Sequence, residues 1–289
     1  MSPRDAVGVD KRDIKIETFY GAGVWDVEPA VRIRGLTKRF GANTVLEDLT
    51  FNIPKGACTV LLGPSGTGKS VFLKNLLGLL TPTSGEIWVG DKNLPTLRHR
   101  QLLEVRKRFG VLFQDGALFG SMSLYDNTAF PLREHTRKKE REIREIVMRH
   151  LGRVGLTDAA DRFPGEVSGG MKKRAGLARA LVLDPEIVMF DEPDSGLDPV
   201  RVSFLNELIT QLKEELDSTF VVVTHNIPTA RNIADYIGML FRRNLVMFGQ
   251  TEELFSSDKA VVNQFLHGRT MGPIGMSEEA DAPGWVDES

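Results

Sequence analysis

Few runs dictate a backbone as tightly as Gly63-Pro64-Ser65-Gly66-Thr67-Gly68-Lys69-Ser70. It follows the apolar run Thr59-Val60-Leu61-Leu62 and leads into Val71-Phe72-Leu73-Lys74-Asn75-Leu76-Leu77, which has helical spacing. A buried strand, a glycine-rich turn closing on Lys-Ser and then a helix is the context of a phosphate-binding loop. Gly63, Gly66 and Gly68 let the backbone curl until successive N–H groups point into one anion-sized nest. The helix starting near Lys69 adds the positive end of its dipole. In such a loop Lys69 reaches the β- and γ-phosphates and the Ser70 hydroxyl takes one Mg²⁺ position. The expected ligands are a nucleoside triphosphate and Mg²⁺, held by Gly63, Pro64, Ser65, Gly66, Thr67, Gly68, Lys69, Ser70 and Val71.

The rest of the chain bounds this reading. Of 289 residues, 41% are hydrophobic and 26% charged, as in a globular protein with a sizeable core. A net charge of -2 gives no electrostatic reason to expect a nucleic-acid partner. The single cysteine, Cys58, has no intrachain partner and sits among apolar residues, which favours a buried structural thiol and a reducing compartment. Lys and Arg interrupt every apolar stretch well short of the roughly 20 residues a membrane span needs. The opening Met-Ser-Pro-Arg-Asp contains no apolar signal segment.

Residues 1–29 have no sustained period and read as an extension, partly ordered through Phe19, Tyr20 and Trp25. Alternation at Val31-Arg32-Ile33-Arg34 and Leu49-Thr50-Phe51-Asn52-Ile53 predicts two strands, and Glu86-Ile87-Trp88-Val89 a third. Phe109–Phe113, Ile187–Phe190 and Phe220–Val223 read as buried strands. Helices are expected over residues 115–184, where Ile143, Ile146, Val147, Leu151 and Val154 recur at helical spacing, and around Leu205–Leu212. Apolar strands separated by helices predict an α/β fold with a parallel sheet covered on both faces. The acidic end, with Glu278, Glu279, Asp281, Asp287 and Glu288, reads as a solvated tail.

Two further constellations carry chemistry. Asp191 and Glu192 close the strand run, at the edge of an open parallel sheet where ligands sit. There Asp191 suits Mg²⁺, and Glu192 suits a general base polarising water. Ser168-Gly169-Gly170-Met171-Lys172 is a second glycine-rich turn opening a helix, expected from Lys173 to about Leu183, and so a second anion site. Lys172, Lys173 and Arg174 read as a solvated helix face.

Gly63–Ser70, Gln114, Ser168-Gly169-Gly170, Asp191-Glu192, Ser195-Gly196-Leu197-Asp198 and His225 occur in one order. As an ordered set over about residues 31–255 this resembles the nucleotide-binding subunits of ATP-binding-cassette (ABC) transporters. The resemblance implies a P-loop NTPase fold: a RecA-like parallel sheet, an antiparallel β subdomain and an inserted helical subdomain at about 115–184. It implies a nucleotide-binding domain over 30–255 and a helix-and-tail extension over 256–289. By the same resemblance Phe40, in Lys38-Arg39-Phe40-Gly41, stacks on adenine with Val45 beside it, and Gln114 touches Mg²⁺ and the attacking water. His225 contacts the γ-phosphate, and Asp198 orders the facing subunit's site. Ser168, Gly169 and Gly170 close over ATP held by a second copy, so the chain is expected to act as a homodimer. Departures are Val167 and Met171, where many relatives have Leu and Gln, and Asp194, where Thr is common. None of them removes a phosphate ligand or a catalytic carboxylate.

The run Pro164–Ala180, with Met after Gly-Gly and then a basic cluster, resembles the ATPases of Mce and Mla lipid transporters. Phe113–Phe119 and Ala129–Thr136 match them too, the second where this fold meets its permease. The nearest resemblance is to the Mce-associated ATPases of actinobacterial lipid importers. It implies integral permease partners, Mce-type lipid-binding proteins reached through the complex, and a peripheral place on the cytoplasmic side of the membrane. Import of another solute stays open, as does a non-transport ABC protein. No Asn-Lys-x-Asp run supports a guanine-specific GTPase. Within residues 270–289, Trp285 is the expected anchor on a neighbouring subunit.

Overall fold

The computed structural model describes residues 17 to 275, so Trp285 and the acidic tail lie outside the described residues. The larger sheet has seven strands. In spatial order they are β1 (Phe19–Tyr20), β11 (Asn244–Gln250), β10 (Tyr236–Phe241), β4 (Cys58–Leu62), β9 (Thr219–Val223), β8 (Ile187–Asp191) and β7 (Phe109–Leu112). All neighbours are parallel except the β10–β11 hairpin. A four-stranded antiparallel sheet holds β3 (Asn43–Pro54), β2 (Pro29–Phe40), β5 (Ser84–Val89) and β6 (Lys92–Asn93). The helices are α1 (Lys69–Leu76), α2 (His99–Arg106), α3 (Leu124–His135), α4 (Glu140–Arg153), α5 (Gly169–Leu181), α6 (Pro199–Glu215), α7 (Ile227–Ile233), α8 (Thr251–Phe255) and α9 (Ala260–His267).

The central strands are apolar on both faces because each face meets a separate core. Val60, Leu62, Val188, Phe190, Phe220 and Val222 pack with helical residues such as Leu132, Val147, Leu177 and Ile209. Their alternates, Leu61, Ile187, Met189, Val221 and Val223, pack with α1 and the antiparallel sheet. There Phe51 lies 5.6 Å from Phe72 and 5.1 Å from Phe248, ring centre to ring centre, which joins the two sheets and α1. Cys58 is fully buried, and burial pushes its thiol pKa up, in keeping with a structural role.

The extension is ordered at Phe19 and Tyr20 as expected, and one helix starts earlier than the sequence expectation. The extension is pinned as an added strand: β1 pairs with β11, Thr18 Oγ1 donates to Leu245 O, Tyr20 OH donates to Thr50 O, and Val24 is buried. The second glycine-rich turn starts its helix at Gly169 rather than near Lys173, because Ser168 caps it by accepting from Met171 N at 3.3 Å.

Candidate functional site

Parallel pairing aligns the carboxyl ends of β4, β7, β8 and β9 on one edge of the sheet, and the motif residues leave from those ends. The loop after β4 needs its glycines. At Gly63, with φ +153°, a Cβ would stand 2.3 Å from Leu240 O; at Gly68, with φ +95°, it would stand 2.8 Å from Leu46 Cδ2. Lys69 is buried, and its ammonium donates to Gly63 O at 2.8 Å and Pro64 O at 2.7 Å, folded over the loop's own carbonyls.

Ser70 Oγ donates to Asp191 Oδ1 at 2.9 Å, which brings together the two groups expected at the metal. Burial raises the Asp191 carboxyl above its ordinary pKa, against the lowering effect of the Ser70 hydrogen bond. Among the described residues no three His, Cys, Asp or Glu side chains cluster as metal ligands. One hydroxyl and one carboxylate form a hard-oxygen set suited to Mg²⁺, which keeps waters and takes its remaining ligands from phosphate.

Glu192 follows with φ +46°, a region few non-glycine residues adopt, and its N–H donates to Val223 O at 2.9 Å. The carboxylate lies 3.3 Å from His225 Nδ1, so the expected base and the expected γ-phosphate contact form one pair. Gln114 Nε2 donates to Ser195 Oγ at 3.1 Å. Phe40 is exposed at the end of β2 with the Lys38 ammonium 4.9 Å from its ring centre, so one aromatic face already serves a cation. Val45 lies against the loop at Gly68, where its Cγ1 would be 3.0 Å from an added Cβ.

Ser168 and Gly169 are exposed at the start of α5. With Gly170, Met171, Leu197, Arg201 and Phe204, Ser168 lines a cleft that no residue of Gly63–Ser70 reaches. That cleft belongs to the second glycine-rich turn alone. Asp198 caps α6 by accepting from Arg201 N at 3.1 Å.

The basic cluster is not the solvated face expected. Lys173 is 4% exposed, with its ammonium on the carbonyls of Pro193 and Ser195. Arg174 Nη1 donates to Val154 O at 2.7 Å, and only Lys172 is left without such a tie. Sequence reasoning also missed Thr224, whose buried hydroxyl donates to Asp194 Oδ2 at 2.8 Å and accepts from Asn226 N. The available signals were Thr224's place between a buried strand and His225, and Asp194 as the departure in an otherwise regular run.

The family model described as ABC transporter matches residues 46–195. A probable ribonucleotide transport ATP-binding protein, mkl, of Mycobacterium leprae is 58% identical over 269 residues, covering 93% of this chain and 78% of the relative. The intermembrane phospholipid transport system ATP-binding protein MlaF of Haemophilus influenzae is 43% identical over 244 residues, covering 84% and 92%. The dimeric post-hydrolysis structure of the ATP-binding cassette MJ0796, bound to ADP and Pi, superposes with a TM-score of 0.71 at 29% identity, over 76% of this chain and 98% of that one.

Proposed function

This chain belongs to the ABC transporter family as an ATP-binding subunit that hydrolyses ATP, and we propose that it energises lipid import through an Mce/Mla-type complex. The observation that carries the lipid reading is the likeness, over 84% of this chain and 92% of the relative, to a protein named for intermembrane phospholipid transport. The cargo class is phospholipid, fatty acid or sterol. The relative from M. leprae carries a ribonucleotide name, which makes ribonucleotide uptake the second reading.

In the proposed cycle Gly63–Val71 cradle the triphosphate, Phe40 stacks on adenine and Val45 packs the loop behind it. Ser70, Asp191 and Gln114 would hold Mg²⁺, which when bound would neutralise phosphate charge. Glu192 takes a proton from the attacking water, and His225, paired with it at 3.3 Å, faces the γ-phosphate. Ser168, Gly169, Gly170 and Asp198 complete the site of a second copy, so ATP binding joins two chains and hydrolysis releases them. The nucleotide-binding domain spans 30–255, with its helical subdomain at 115–184 and extensions at 1–29 and 256–289. Permease subunits hold the dimer at the cytoplasmic face of the membrane, and Mce-type proteins meet it through them. No helix among the described residues is long and apolar enough to cross a membrane.

Two measurements test this. Glu192→Gln is expected to keep ATP affinity and lose nearly all turnover, trapping a dimer; substantial remaining hydrolysis would move the base elsewhere. In a strain lacking the gene, uptake of labelled fatty acid, phospholipid or sterol is expected to fall and to return with the wild-type gene but not with Lys69→Ala. A selective loss of ribonucleotide uptake would replace the lipid reading.

A further inference from the structure

The turn carrying Glu192 is held from three sides. Thr224, from the strand leading to His225, donates to the buried Asp194 carboxylate at 2.8 Å. Gln114 reaches Ser195 Oγ from the end of β7. The third hold comes from α5, whose Lys173 ammonium donates to Pro193 O at 2.8 Å and to Ser195 O. An ammonium has three donors on one centre and can grip two carbonyls two residues apart. The same helix grips the Gln114 loop, as Arg179 donates to Gly116 O and Ala117 O, both at 2.8 Å.

This grip is costly to keep. Burial disfavours the Lys173 charge and lowers its pKa, while Asp194, Asp115 and Glu192 act in the opposite direction. A buried charge persists only when its partners compensate for lost water. The turn it steadies includes Glu192 at φ +46°, a conformation that surrounding structure must enforce.

Resting on the reading of Glu192 as general base, we propose that Lys173 is a positioning residue for hydrolysis. It ties the turn bearing Glu192 to the helix that presents Ser168–Gly170, so that the carboxylate is aligned only when that helix is in place. Phosphate binding by one chain and water activation by the same chain are thereby joined through one side chain, although they serve opposite sites of the dimer. The Lys173 ammonium is engaged by Pro193 O and Ser195 O, so its role in hydrolysis runs through Glu192.

The test is ATP hydrolysis by the full chain, with Lys173→Met and Lys173→Gln made in wild type and in Glu192→Gln. A residue acting through the base changes kcat and leaves binding alone, so Lys173→Met is expected to lower kcat about tenfold or more with KM for ATP within about twofold. Lys173→Gln, which keeps an amide donor, is expected to fall between Lys173→Met and wild type. In the Glu192→Gln background, single-turnover hydrolysis is expected to show no further loss, because partners in one device are non-additive. Wild-type kcat in Lys173→Met, or an equal loss with and without Glu192, overturns the proposal. Should Lys173→Met not fold, Lys173→Gln carries the test by the same criteria. Substantial hydrolysis surviving in Glu192→Gln, beyond the slow residual rate, overturns the reading of the base itself, and this proposal with it. An inactive Glu192→Gln beside a fully active Lys173→Met overturns only the role given to Lys173.

Discussion

The Ser70 hydroxyl and the Asp191 carboxylate meet where water is scarce, and that burial holds the carboxyl above its usual range. A raised folded-state pKa means the ionised form is the less stable one in the folded protein, so its cost to stability appears as pH rises above the unfolded value. Asp191→Asn is therefore expected to raise the melting temperature of the nucleotide-free protein at pH 7 while abolishing ATP hydrolysis. A lowered melting temperature would reject that sign. Gly68→Ala is expected to destabilise by about 1–3 kcal/mol in a urea titration, since it adds a Cβ at φ +95° against Leu46. Lys69, Ser70 and Asp191 were legible in the sequence because each sits in a short run whose chemistry is local. Lys173 and Thr224 were not, because their partners lie 20 and 30 positions away, and only the folded chain brings them together.

At the level of elements, α4 carries a buried histidine. Both ring nitrogens of His150 are without a hydrogen-bond partner among the described residues, and burial lowers its pKa to about 4. Between its ordinary pKa of about 6.5 and about 4 the unfolded chain binds one more proton than the folded one, so stability falls as pH drops through that window, by an upper bound of about 3 kcal/mol. His150→Leu is expected to flatten this slope in urea unfolding measured at pH 7 and pH 5; an unchanged slope would assign it to other groups. Across the sheet, Phe51→Ala is expected to cost about 3–5 kcal/mol, because it opens the contact among β3, α1 and β11. The strands of the parallel sheet were readable as β-branched runs bounded by polar residues. The β10–β11 hairpin was not, since Arg242 and Arg243 occupy the positive-φ turn where Asn and Gly are the usual signal. The start of α5 was placed late because Gly169 and Gly170 are poor helix formers, and the Ser168 cap outweighs them.

For the whole molecule, the proposal that the two glycine-rich turns of one chain serve different sites predicts a rule of assembly. Mixing Lys69→Ala chains with Gly169→Asp chains, each inactive alone, is expected to restore hydrolysis, because one of the two sites in the mixed dimer keeps both intact halves. No recovery would argue against composite sites. The amino-terminal arm adds an order of events. Thr18 and its partner Leu245 are separated by 227 positions, so the arm waits on a strand made much later. On the ribosome, a chain halted before Asn244 is expected to leave the arm around Val24 open to a protease, and a chain that includes β11 to protect it. The arm closes only once β11 has been made, and so marks the moment at which the larger sheet has its last-made strand.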